Sequence, residues 1–346
     1  MLGGRPATVT TLLCVTQTEA TMLQIESKKF ERIPNHLHPL FKDVDAIGTV
    51  ALDELFTLLC LAIDTGSKSV AVAAPTGAGK TCAIQRLTAE LGRTYPNVPV
   101  IIYNTLNFQA TSVRGFFIHF LESLGHAVLS GETGRLRSRV VNFIIDLARQ
   151  GGTSIVILMV DEAQVMTAND VDFLKDVFNE LQKARVRLLT FMFGEMPGFP
   201  SMVETWSDSV RARFVAHKTV LRGIKNVEDV KRILHEIDIA TFSVGSNQTW
   251  TSTLFPEAYA AGFRLVSQAE NFFACATRET RGHASEIPTR AAFNTIRAFI
   301  AMHGDKDVAD LSFTQNDWVG PVRWAEVAEA VAIFDKNSAS DWTLKI

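Results

Sequence analysis

The sequence has few cysteines, no excess of charge of either sign and no long apolar run. Its four cysteines, Cys14, Cys60, Cys82 and Cys275, are scattered over 346 residues and show no metal-ligand spacing. They read as reduced thiols of a cytoplasmic protein rather than as a disulfide framework. The formal net charge is −3, so no global basic field draws the chain to nucleic acid, and any such contact must come from a local patch. The apolar run Thr10 to Val15 is too short for a signal-peptide core, and no run reaches membrane-spanning length. Internal repeats and low-complexity segments are also missing. What remains is 47% hydrophobic and 21% charged, enough to build a full core in one large domain or two moderate ones. Residues 1–21 carry no periodic pattern, with Met22 as an alternative start. Residues 1–34 are expected to form a disordered or extended lead.

The most informative stretch is SVAVAAPTGAGKTCAIQRL, Ser69 to Leu87. An apolar strand breaks at Pro75, Thr76, Gly77, Ala78 and Gly79, then resumes after Lys80, Thr81 and Cys82 as a helix. A loop of this kind turns backbone N–H groups inward, and the helix N-terminus adds its positive dipole end, so a nucleotide phosphate fits there. Lys80 would lie against the β- and γ-phosphates, and Thr81 would give its hydroxyl to Mg²⁺. The strict GxxxxGK[ST] pattern has Gly where this sequence has Ala74.

A second signal lies some eighty residues on. Thr153 to Val160 is nearly unbroken aliphatic and β-branched sequence, as in a central parallel strand covered on both faces. It ends in Asp161-Glu162-Ala163-Gln164. Asp161 can hold a Mg²⁺-bound water while Thr81 holds the ion, because Mg²⁺ takes few protein ligands. Glu162 is the candidate general base for an attacking water.

Around these two signals the pattern alternates. Strands are expected at Val70–Ala74, Val98–Asn104, Thr153–Val160, Val186–Phe193 and His217–Leu221. Helices are expected at Val44–Ile63, from Lys80 to about Leu91, and at Ser112–Leu124, Arg135–Arg149 and Asp170–Leu181, with one ending at Phe214. This is a three-layer α/β unit with a parallel sheet, spanning residues 35–223. Beyond Gly223 the strand pattern stops. Val227–Thr241, Glu257–Ala276 and Pro288–His303 read as a helical domain of residues 224–303. Residues 304–346 hold one more amphipathic stretch, Val322–Phe334, and three tryptophans, Trp318, Trp324 and Trp342, as candidates for docking a partner.

Further candidates are arginines. Hydrolysis gains from a guanidinium that stabilises transition-state charge, often from a neighbouring subunit. Arg211 and Arg213, in the segment SVRARF, are the candidates, Arg213 preferred because Phe214 would anchor it. The alternative is a pair of surface arginines at a helix end. Thr190, Gly194 and Glu195 are candidates for sensing the γ-phosphate. Arg290 opens a later helix and either reaches the nucleotide from above or is solvated. Thr111, Arg114, Arg135, Arg137 and Arg139 are candidates for phosphate contacts with DNA. Three arginines near a helix start are disfavoured by the dipole, and a negatively charged ligand would relieve that. The alternative is a solvated helix start.

The order GAGKT, VDEAQ, a strand with FGE, RARF and a helical lid resembles an AAA+ ATPase over residues 35–300. The helix 112–124 looks like the insertion of the initiator clade. DEAQ and the sequence after it resemble the TnsC/TniB/MuB-type transposition regulators. The resemblance implies a P-loop NTPase with a helical lid, using ATP and Mg²⁺. It implies a homo-oligomer, ring or filament, that assembles on duplex DNA through backbone contacts. It also implies a target-selection factor and a transposase as partners, and a bacterial, nucleoid-associated location. An origin-binding ATPase and a signalling NTPase that binds no DNA are the alternative functions.

Overall fold

The computed structural model describes residues 32–42, 47–105, 112–242, 246–280, 286–338 and 342. Five parallel strands form one sheet: β1 Ser69–Ala74, β2 Val100–Asn104, β3 Ile155–Asp161, β4 Arg187–Glu195 and β5 His217–Val220, in the order β2-β3-β4-β1-β5. β1, β3 and β4 are buried along almost their whole length. Their unbroken aliphatic sequences follow from that, because helices cover both faces of a parallel sheet. The glycine-loop strand β1 pairs with β4, Ala74 opposite Glu195, and β3 pairs with β2, Asp161 opposite Asn104. The register therefore brings Ala74, Glu195 and Asp161 to one carboxyl edge.

Helix α1, Val50–Asp64, is capped by the Thr49 side chain, which accepts the Leu52 N–H at 3.2 Å. With α2, Lys80–Thr94, it covers the face formed by Val70, Val72, Leu189 and Phe191. The other face is covered by α3, Val113–Ser123, α4, Thr133–Gln150, and α5, Ala168–Lys183. Phe116, Phe117 and Phe120 are buried there, as side chains of a core and not of a base-stacking surface. Two short helices, α6 Gly198–Glu204 and α7 Asp208–Phe214, precede β5; the sequence pattern gave only the second.

The helical region begins with α8, Val227–Ile239. A single helix was expected over 257–276. The chain instead forms α9, Trp250–Leu254, and α10, Pro256–Ala260, then a 3-10 turn, Leu265–Gln268, and α11, Ala269–Glu279. The buried Asp238 carboxylate explains the break: it accepts the N–H groups of Leu265 and Val266, both at 2.9 Å, and the Thr251 hydroxyl at 2.6 Å. Those N–H groups would otherwise point back into a helix. α12, Thr289–His303, follows. The stretch expected over 322–334 is likewise two helices, α13 Val319–Trp324 and α14 Val327–Ser338, broken where Glu326 takes φ +51°.

Two of the three tail tryptophans are buried. Trp318 stacks on Phe299, with ring centroids 3.9 Å apart, and on Phe272. Trp342 packs beside Phe199 under the Lys218 ammonium. Only Trp324 is exposed, at 74%. Large indoles gain more from covering apolar surface than from remaining in water. Among the described residues no helix is long and apolar enough to cross a membrane.

Charged contacts join the helical region to the α/β unit. Arg222 reaches Glu54 of α1 at 2.9 Å and Asp229 of α8 at 2.6 Å. Arg232 of α8 reaches Asp53 at 3.1 Å. The segment before α1 packs on the same region: His38 is fully buried against Trp250, and burial pulls its pKa from 6.5 down to about 4. A His held neutral by burial must be protonated on unfolding at low pH. Its contribution to stability is thus present above pH 6.5 and fades as pH falls from 6.5 towards about 4. Thermal midpoints measured from pH 7.5 to 4.5 are expected to fall more steeply for the native chain than for His38→Gln. Parallel curves would contradict this.

Candidate functional site

The site is built at the carboxyl edge of β1, β3 and β4. Ala74 ends β1, and the loop turns through Gly77 at φ +84° and Gly79 at φ +92°. Both angles lie in the left-handed region that glycine adopts without strain. The turn leaves the first N–H groups of α2 without helical partners and facing the edge.

Thr81 and Asp161 meet, with the Thr81 hydroxyl 3.2 Å from the Asp161 carboxylate. The other Asp161 oxygen accepts the Glu162 N–H at 2.8 Å. Burial pushes the Asp161 carboxyl above its ordinary pKa, and the hydrogen bonds from Glu162 and Thr81 work against that shift. A divalent cation would reverse it by favouring the carboxylate. Lys80 lies over the same edge, its Nζ 3.8 Å from a Glu162 oxygen. Glu162 takes φ +53°, an unusual conformation for a residue with a side chain. The Thr105 hydroxyl is 2.9 Å from the Asp161 carbonyl and 2.6 Å from the Glu162 carbonyl, which steadies that turn.

The structure separates the three sensor candidates. Thr190 is buried in register with Ser69, at the amino end of β1 and away from the loop. Gly194 has no room for a side chain, because a Cβ there would lie 2.1 Å from Phe199 Cγ. Glu195 reaches the site: its carboxylate accepts a hydrogen bond from the Thr76 hydroxyl in the loop. Its backbone N–H donates to Gln164 Oε1 at 2.8 Å. Gln164, quoted in the sequence only as part of DEAQ, also donates to the Glu162 carboxylate.

Arg290 stands beside the loop from the helical region. Its N–H donates to the Gly77 carbonyl at 3.0 Å, and its side chain is exposed. Pro75, Ala78 and the exposed Cys82 complete the turn and the first turn of α2. Arg211 and Arg213 face elsewhere within the chain. Arg211 pairs with Asp208, and Arg213 donates to Asn179 at 3.3 Å and to the Ser209 carbonyl at 2.8 Å. Phe214 is buried against Phe178, so the end of α7 is fixed.

The DNA candidates form a separate group. Arg114 donates to the Gly131 carbonyl at 3.2 Å, Arg139 donates to the Ser130 carbonyl, and Arg137 lies 3.5 Å from Asp176. Arg135 is exposed. Thr111 lies outside the described residues.

A glycine turn between a buried parallel strand and a helix, facing an acidic strand end in the order β2-β3-β4-β1-β5, defines a P-loop ATPase. Residues 63–202 match the family model described as an AAA domain, and the α/β unit has the AAA+ ATPase fold. No curated protein matches the sequence. Among solved structures, the chain is similar to the Aeropyrum pernix ORC2 protein in its ADPNP–ADP complexes. The identity is 14%, the TM-score 0.52, and the match covers 84% of this chain and 72% of that one. It is also similar to the Aeropyrum pernix ORC1 protein in complex with DNA, at 16% identity and a TM-score of 0.48, over 83% of this chain and 67% of that one. Identities this low speak to the fold; function is argued from the site.

Proposed function

We propose that the chain is an ATP-dependent regulator of DNA transposition that oligomerises on duplex DNA. In this reading ATP binding drives assembly, and hydrolysis drives disassembly. The observation that carries it is the pocket: Thr81, Asp161, Lys80 and Glu162 converge at one sheet edge, while Arg211 and Arg213 are held on α7 by Asp208, Asn179 and Ser209. Arginines fixed there suit a second copy's pocket, which makes nucleotide affinity and subunit contact one free energy.

Thr81 and Asp161 fit Mg²⁺, a hydroxyl and a carboxylate side by side with phosphate oxygens and water left to fill the shell. Bound there, Mg²⁺ would neutralise charge on the β- and γ-phosphate oxygens. Lys80 and the N–H groups of the turn hold the triphosphate. The Glu162 carboxylate takes a proton from water as its oxygen attacks the γ-phosphorus; the bond to the β–γ bridging oxygen breaks and ADP leaves. Arg290 closes on the nucleotide from the helical region, which serves as the lid. Arg114, from the first turn of α3, reaches the α3–α4 turn, and Arg135, Arg137 and Arg139 lie at the start of α4. Each guanidinium has five N–H donors, so those that already hold a carbonyl or Asp176 keep others for DNA phosphates. The transposase and target-selection factor come from the resemblance of DEAQ and its flank.

A replication-initiation role is the second reading, favoured by the 84% coverage in the ORC2 comparison. In that reading a DNA-binding winged helix would follow the lid; residues 315–338 themselves form short helices around the Trp318 stack. Electrophoretic mobility and negative-stain imaging with duplex DNA test the proposal. Rings or filaments are expected on DNA only with a slowly hydrolysed ATP analogue. No DNA retention at low salt would overturn it.

A further inference from the structure

Gln164 sits where two parts of the site meet. It lies in the 3-10 turn Ala163–Val165, directly after the acidic pair. Its amide has two partners of opposite kind. The Glu162 carboxylate only accepts, and the Glu195 N–H only donates. One orientation of the amide satisfies both: Nε2 towards Glu162 and Oε1 towards Glu195, the latter at 2.8 Å. The Glu195 carboxylate in turn holds the Thr76 hydroxyl. A continuous path therefore runs Thr76–Glu195–Gln164–Glu162, from the glycine loop to the acidic strand end.

The path matters because of how Glu162 is held. Its backbone is fixed at φ +53°, and Lys80 stands 3.8 Å from Oε1. The ammonium attracts that oxygen without fixing a direction, whereas the Gln164 amide is directional and holds the other oxygen. Removing it leaves the carboxylate without a fixed direction. A triphosphate in the loop brings negative charge towards Glu195 and offers Thr76 a competing acceptor. The Glu195 N–H at that strand end is bonded to Gln164.

We propose that Gln164 is a positioning residue that aims the Glu162 carboxylate at the attacking water and couples that aim to the occupancy of the glycine loop. This rests on Glu162 acting as the general base.

The test is steady-state ATP turnover of the full chain, measured beside nucleotide affinity. Gln164→Met matches the side chain in size and loses both hydrogen bonds. Gln164→Glu keeps the acceptor for Glu195 but loses the donor to Glu162. Both are expected to lower kcat about 10- to 100-fold, the scale of an ångström-level misplacement of a reacting group. ATP affinity should stay within about twofold, because neither variant touches the groups that bind phosphate. If Gln164 merely pinned the turn to β4, Gln164→Glu would keep near-native kcat, and that result overturns the proposal. A parallel loss of affinity and kcat in Gln164→Glu overturns it as well. Glu162→Gln, assayed beside them, separates the two claims. If it is inactive while both Gln164 variants turn over normally, this inference alone fails. If it turns over normally, the assignment of the base fails and this inference with it.

Discussion

Lys80→Ala is expected to abolish ATP binding and, with it, every ATP-dependent assembly on DNA. The ammonium lies at the mouth of the α2 N-terminus, its side chain only 11% exposed. Nothing else among the described residues of the loop carries a positive charge towards the phosphates. Truncating one member of a buried charge pair costs roughly 2–5 kcal/mol, or about 30- to 5,000-fold in Kd. The fold should survive, because α2 is anchored by Ala83, Ile84, Leu87 and Leu91 on its inner face. Fluorescent-nucleotide titration and a thermal midpoint measured together check both halves. Native-like affinity in a folded Lys80→Ala chain would show that the triphosphate is held elsewhere.

Glu162→Gln is expected to bind ATP and to stop turning it over. The amide keeps the size of the side chain and accepts no proton, so loss of general-base catalysis should lower kcat by about 10²- to 10⁴-fold. Assemblies that form with ATP should persist, where those of the native chain are expected to form and then release. Single-turnover hydrolysis and the lifetime of DNA-bound complexes after ATP addition are the measurements. Native turnover in this variant would remove Glu162 from the mechanism. The hydrogen bonds and exposure in the pocket support the choice of base. The Asp161 carboxylate is committed to Thr81 and to the Glu162 N–H, whereas the Glu162 side chain is 42% exposed and open to water.

The arrangement that contiguous residues encode was legible in the sequence. A strand, a glycine turn, Lys80 and Thr81 are consecutive, and their order is itself the signal. The acidic pair was legible because six apolar strand residues, Ile155 to Val160, precede it. The five strands of the parallel sheet followed from the same alternation. Contacts that depend on register were not legible. Thr190, Gly194 and Glu195 were all sensor candidates along one strand, and the pairing of Ala74 with Glu195 places only the end of that strand beside the loop. Gln164 reaches Glu195 across 31 positions of sequence, which no local pattern marks. The breaks in the helical region had the same origin. Asp238 takes the N–H groups of residues 27 and 28 positions away, so a periodic stretch that reads as one helix is divided. Trp318 and Trp342 looked available for docking because their covering partners, Phe299 and Phe199, lie 19 and 143 positions away (318 − 299 and 342 − 199).

The shared pocket is tested most directly by a cryo-EM map of the chain on duplex DNA with a slowly hydrolysed ATP analogue and Mg²⁺. Density for the analogue is expected between Gly77–Thr81 and Asp161, with Arg211 or Arg213 of a neighbouring copy at its γ-phosphate. Analogue density closed off within one copy, or lying away from the glycine turn, would contradict it.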